Sequence, residues 1–134
     1  MSNTNAAFAL GGRFLLAILF ILSGLSKLGA PAGTQAYIAA AGLPLPVLAY
    51  VVAVVVELGG GLMLLVGYRT RVAALALALF TLAAAAFFHN QLGDRNQFIH
   101  FMKNLAICGG LLQLYVFGAG GLSIDARRQA AAAS

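Results

Sequence analysis

Glu57 has no charged neighbour along a long stretch of chain. In "VVAVVVELGGGLMLLVG" (51–67) every other position is apolar or small, and the nearest charged residues are Lys27 and Arg69. A carboxyl there can trade a proton or hold a cation. In a bilayer it sits near mid-depth, where an ionised side chain costs roughly 3 kcal/mol by insertion scales. The chain must therefore compensate for the charge or use it. The groups that can meet it are few: Ser23 and Lys27, four residues apart, then Lys103 with Asn104, and His89. These five and Glu57 itself are the candidate ligand or proton-site residues. His89 and His100 have no metal-ligand spacing. The lone Cys108 excludes an internal disulfide and a CxxC pair. No haem-ligand pair or flavin motif is present, so neither catalysis by this chain alone nor a resident metal, haem or flavin is expected.

Helical spacing groups these residues with small ones. Ala53, Gly60 and Gly61 lie at i−4, i+3 and i+4 from Glu57. Small residues let helix backbones approach, so this face is expected to look into a bundle. Arg13, Ala17, Phe20, Gly24 and Lys27 make a second stripe, with Ser23 at its upper end. Lys103, Ala106, Gly110, Gln113 and Phe117 make a third, with Asn104 beside it. At about 1.5 Å rise per residue, Glu57 lies roughly 15 Å above one membrane edge, Ser23 about 20 Å, and Lys27, Lys103, Asn104 and His89 about 25 Å. Blander readings stand beside these. Snorkelling accounts for Lys27 or Lys103, and Arg13 reads as an anchor in headgroups. His100 reads as an interfacial residue, a reading that also stands beside the site role of His89. Asn104 and Gln113 read as interhelical hydrogen-bonding groups, and Cys108 as a small core residue. For Glu57 itself, a structural ion pair and a functional carboxyl remain open.

The elements that must carry these groups follow from composition. The 134 residues are 62% hydrophobic and only 8% charged, against about a quarter charged in a soluble domain. The net charge of +5 is spread over the ends of apolar runs, which argues for membrane topology and against nucleic acid. Those runs fall at about 10–28, 47–66, 72–88 and 101–121, each near the length that crosses a bilayer. The expected fold is all-α: one domain over 1–134, an antiparallel bundle of four transmembrane helices. A secretory signal is not expected, because "MSNTNAAFALGG" lacks a basic n-region. Arg13, Arg69, Arg71, Arg127 and Arg128 fall on one side, and Lys27, Arg95 and Lys103 on the other. That bias predicts both termini in the cytoplasm. The first outer connection, "GAPAGTQAYIAAAGLPLP" (29–46), predicts a short surface helix from Thr34 to Ala41, ended by Gly42 and kept from resuming by Pro44 and Pro46. "GYRTR" (67–71) reads as a tight basic turn, and the tail "ARRQAAAAS" as frayed.

"GRFLLAILFILSGLSKL" (12–28), "GLPLP" (42–46), "ELGGGLMLLVGYRTR" (57–71) and "FMKNLAICGGLL" (101–112), in that order, resemble the DoxX family of bacterial four-helix membrane proteins. The resemblance covers about residues 10–115. It implies that Arg13, Ser23, Gly24, Lys27, Glu57, Gly60, Arg71, Lys103 and Asn104 occupy signature positions, and that the chain lies in the bacterial inner membrane. Arg13, Arg71, Gly24, Gly60 and Gly61 are the candidate structural or anchor residues. Family members are associated with a quinol oxidase, with quinone stress, or with a membrane complex handling superoxide and thiols.

Three functions compete. The first is a redox-accessory protein holding a quinone or lipid between its helices, with Lys27, Lys103 and Asn104 as donors and Glu57 exchanging a proton; electrons would come from a partner or bound cofactor. The second is an assembly subunit, with lipid-facing Ala74 and Ala78 docking another membrane protein. The third is a small proton-coupled transporter, for which four helices would have to dimerise.

Overall fold

The computed structural model describes residues 2–134. Among them are six helices and no strand: α1 (Asn3–Gly29), α2 (Pro31–Ala40), α3 (Pro46–Val66), α4 (Thr70–Phe88), α5 (Arg95–Phe117) and α6 (Ile124–Ala132). Three of them, α1, α3 and α4, are long and apolar enough to cross a membrane. The N-terminal half of α5 carries Arg95, Gln97, His100, Lys103 and Asn104, which sets it apart from those three.

Local chemistry explains most helix ends. The Ser2 hydroxyl accepts from the Asn5 amide, and the Asp94 carboxylate from the Gln97 amide at 3.0 Å, each capping a helix start. At the end of α3, Gly67 takes φ +68° while its own N–H and that of Tyr68 return to Leu64 and Met63. That pattern closes the last turn and frees the chain to reverse at once.

Several boundaries differ from the reading of the sequence: α1 starts at Asn3 rather than near 10, and α5 at Arg95 rather than near 101. The short helix α2 starts at Pro31 rather than Thr34, because proline lacks only an N–H that a first turn leaves unpaired anyway. The Thr34 hydroxyl instead donates to Ala30 O at 2.8 Å. The short helix does not resume past Ala40, as the prolines predict, and Pro46 itself opens α3, one residue before the expected run. The fourth apolar run does not reach 121: α5 stops at Phe117, and Gly118 and Gly120 at φ near +80° turn the chain. The tail is not frayed but forms α6, its first turn capped by the Ser123 hydroxyl.

Helix α3 packs against both α1 and α4, and α4 packs along α5, while α1 and α5 meet only sparsely. The core lies along this row, from Ala17, Phe20, Leu64, Leu77 and Leu111 among others. Helix α4 is covered on two sides, so Ala74 and Ala78 are buried rather than lipid-facing. The docking role for those two alanines is thereby withdrawn. The outward positions are large and apolar: Leu15, Val55, Leu79 and Val116 are each more than half exposed, a surface that lipid tails must cover. The reversals leave two poles. One gathers the start of α1, the α3–α4 turn and α6; the opposite one gathers the end of α1, α2 and the α4–α5 loop.

Candidate functional site

The α1 stripe brings Ser23 and Lys27 to one face, one turn apart, and Glu57 on α3 lies opposite. Lys27 Nζ donates to Ser23 Oγ at 2.9 Å and to Glu57 Oε1 at 3.1 Å, and stands 2.8 Å from Oε2. Ser23 Oγ donates to Oε1 at 2.9 Å. Oε1 thus takes two donors, whereas Oε2 has the ammonium charge beside it but no aligned hydrogen bond. The Glu57 side chain is 5% exposed and that of Lys27 26%. The carboxylate is therefore the fixed member of the pair, and the lysine reaches in from the edge. The Tyr50 hydroxyl donates to Lys27 O at 3.1 Å, which ties the end of α1 to the start of α3.

These groups form the floor of a cavity of about 630 Å³ between α1 and α5, walled by Phe20, Ile38, Phe80 and Phe88 and reached by residues of α2. Lys103 and Asn104 line it from α5, but neither bonds to Glu57 or to any other side chain among the described residues. His89 reaches the same space, its Nδ1 3.3 Å from Gln97 Oε1, and its ring stacks on His100 at 5.1 Å between centroids. His100 therefore belongs to the cavity rim as well. Tyr37 of α2 stacks on Phe88 at 5.1 Å and completes that rim. Gln113, on the same stripe as Lys103, is exposed and bonds to nothing. The arrangement can hold an amphiphile whose apolar part meets the walls and whose polar part meets Lys27, Lys103 or Asn104. No group of three or more metal-binding side chains exists among the described residues.

The glycines decide how closely the walls approach. A Cβ at Gly24 would fall 2.6 Å from Leu58, and one at Gly60 would fall 2.8 Å from Leu77. Both bring α3 against its neighbours and keep Glu57 facing inward.

The opposite pole is organised by a residue that sequence reasoning placed in headgroups. Arg13 is 1% exposed and turned inward, its guanidinium donating to Ala119 O and, at 2.8 Å, to Leu122 O. Arg71 remains exposed beside the Gly118–Gly121 loop. Asp125, unnoticed in the sequence, accepts from the backbone N–H of Arg69 at 2.8 Å and of Thr70 at 2.9 Å. A carboxylate on α6 thus caps α4. The Ser-x-Asp beginning of α6, a pattern typical of helix starts, was the one available signal.

Burial works against the charged form of Asp125, but hydrogen bonds from Thr70 and Arg69 and the charge of Arg128 outweigh it. Its carboxyl is left below the usual value of 3.8. With the folded value depressed, its contribution is complete above the unfolded carboxylate range and lost as pH falls through the folded value. Asp125→Ala is therefore expected to cost about 1 kcal/mol near neutral pH, the usual worth of a cap. Thermal melts at pH 7 and pH 3 should show the gap between wild type and variant closing in acid; an unchanged gap would contradict the cap.

The DoxX family model matches residues 8–90. The chain is 45% identical over 125 residues to Inner membrane protein YqjF of Escherichia coli K12, covering 93% of this chain and 95% of that one. It is 34% identical over 120 residues to Inner membrane protein YphA of the same organism, covering 86% of each. No solved structure matches.

Proposed function

The chain belongs to the DoxX family and is an integral inner-membrane protein, and on that footing we propose that it holds an amphipathic ligand, a quinone or a lipid, in the cavity above Glu57. The whole chain acts as one domain of four transmembrane helices, α5 being the fourth: its 23 residues extend about 35 Å, and Leu105, Leu112 and Val116 face outward. Both termini are cytoplasmic and α2 lies at the outer surface. With Arg13 turned inward and Lys27 paired, Arg69, Arg71, Arg127 and Arg128 still outnumber Arg95 and Lys103, so the basic bias keeps its direction. Any redox role is that of an accessory, since electrons must come from a partner complex or from the ligand itself.

The observation that carries this reading is a cavity of about 630 Å³, within the size range of small-molecule sites, with a buried carboxylate paired to a half-buried lysine at its floor. The full use of Oε1 by Ser23 and Lys27 supports a second reading, in which Glu57 only fastens α3 to α1. Glu57→Gln separates the two. The amide keeps its shape and can still accept from Ser23, and Lys27 can turn outward. The variant should therefore melt near the wild type in detergent while its co-purifying amphiphile changes in amount or identity by mass spectrometry. Lower stability with unchanged ligand content would leave the fastener as the surviving reading.

A further inference from the structure

We propose that the polar head of the cavity's ligand carries a single negative charge, a carboxylate or a phosphodiester, borne on an apolar tail. This rests on the reading of the cavity as a ligand site and adds the charge of what enters it. The protein contains only three acidic residues, and each has its use. Glu57 is paired with Lys27, Asp94 caps α5, and Asp125 caps α4 at the opposite pole. Lys103 lines the same cavity with no carboxylate left in the chain to meet it.

The charged lining therefore consists of two ammonium groups and one carboxylate, a net single positive charge beside apolar walls. Lys103 is exposed at the cavity wall, so a neutral head leaves its ammonium to water and headgroups, whereas an anionic head accepts a charge-assisted hydrogen bond from it, about twice as strong as a neutral one. The neighbouring Asn104 amide can donate to the second oxygen, and His89 and His100 lie at the rim. A dianion would exceed the available charge. One negative charge matches it.

The test uses the full-length protein in neutral detergent with three probes that share an oleoyl tail: oleate, oleyl alcohol and oleoyl-lysophosphatidylglycerol. Binding is read by native mass spectrometry and by ligand-dependent melting. At least one of the two anions should bind tenfold or more tightly than the alcohol, and the tighter of them identifies carboxylate or phosphodiester as the head. Lys103→Gln should bring that anion within about twofold of the alcohol, while Lys103→Arg keeps the preference. Equal binding of alcohol and anions to the wild type would overturn the charge assignment and leave the ligand site standing. So would a preference that survives Lys103→Gln, since the anion would then be held elsewhere. Failure of all three probes, together with unchanged co-purifying lipid in the cavity-filling variant Ala53→Phe, would overturn the ligand site itself.

Discussion

Arg13→Met is expected to lower the melting temperature in detergent more than any change at the cavity. The guanidinium is 1% exposed and donates to two carbonyls, Ala119 O and Leu122 O. Methionine fills much of the volume and removes the buried charge, so the desolvation of the cation is recovered. The two carbonyls then lose their donor, at roughly 1–3 kcal/mol for each that stays dry. The loop after α5 also loses its attachment to α1. A net loss of about 3 kcal/mol follows, on the scale of broken buried polar contacts. Arg13→Lys should recover only part of it, because one ammonium lacks the planar fork that serves two acceptors together. A melt of Arg13→Met matching the wild type would refute this account of the pole.

The second large effect concerns two glycines two residues apart on α3. A Cβ added at Gly61 would sit 2.9 Å from Ile21 Cγ1, 3.2 Å from Ile21 N and 3.3 Å from Ala17 O. Two of those atoms are backbone and cannot rotate aside, so α1 and α3 must separate. Overpacking of this kind costs about 1–3 kcal/mol, and here it also pulls Glu57 away from Ser23 and Lys27. Gly59 has nothing within 4 Å of its added Cβ. Gly59→Ala should therefore be neutral or gain up to about 1 kcal/mol of helix propensity. Gly60→Ala should fall between them, since only the Leu77 side chain is in the way. Melting and detergent-solubility measurements on the three alanine variants should follow the order 59, 60, 61. Equal stability of the first and last would mean that the α1–α3 approach is not set by Gly61.

The long helices were legible because an apolar run is a local signal: the runs near 10–28, 47–66 and 72–88 lie within α1, α3 and α4. The grouping of Ala53, Gly60 and Gly61 around Glu57 is equally local, since helical spacing alone puts them on one face. What escaped depends on partners far along the chain. An arginine near the start of an apolar run looks the same whether it seeks headgroups or carbonyls, and the carbonyls that hold Arg13 are 106 and 109 residues away. Asp125 gives α6 a purpose only through amides 55 and 56 residues before it, so a tail of alanines and arginines read as unstructured. Ala74 and Ala78 were misplaced for a related reason. On a helix that is apolar all round, small residues do not reveal which side faces protein and which faces lipid.

The contact between Arg13 and the loop after α5 also sets an order of events in the cell. Ribosomes add about 5–20 residues per second, so the 106 residues between Arg13 and Ala119 correspond to on the order of ten seconds of synthesis. Throughout that interval the first helix carries a guanidinium whose final acceptors do not yet exist, and once made, the start of α4 waits a further 55 residues for the carboxylate that caps it. Nascent α1 must keep its arginine at the water-facing edge and withdraw it only once the C-terminal segment has emerged. Chains that stop before residue 119 never make that withdrawal.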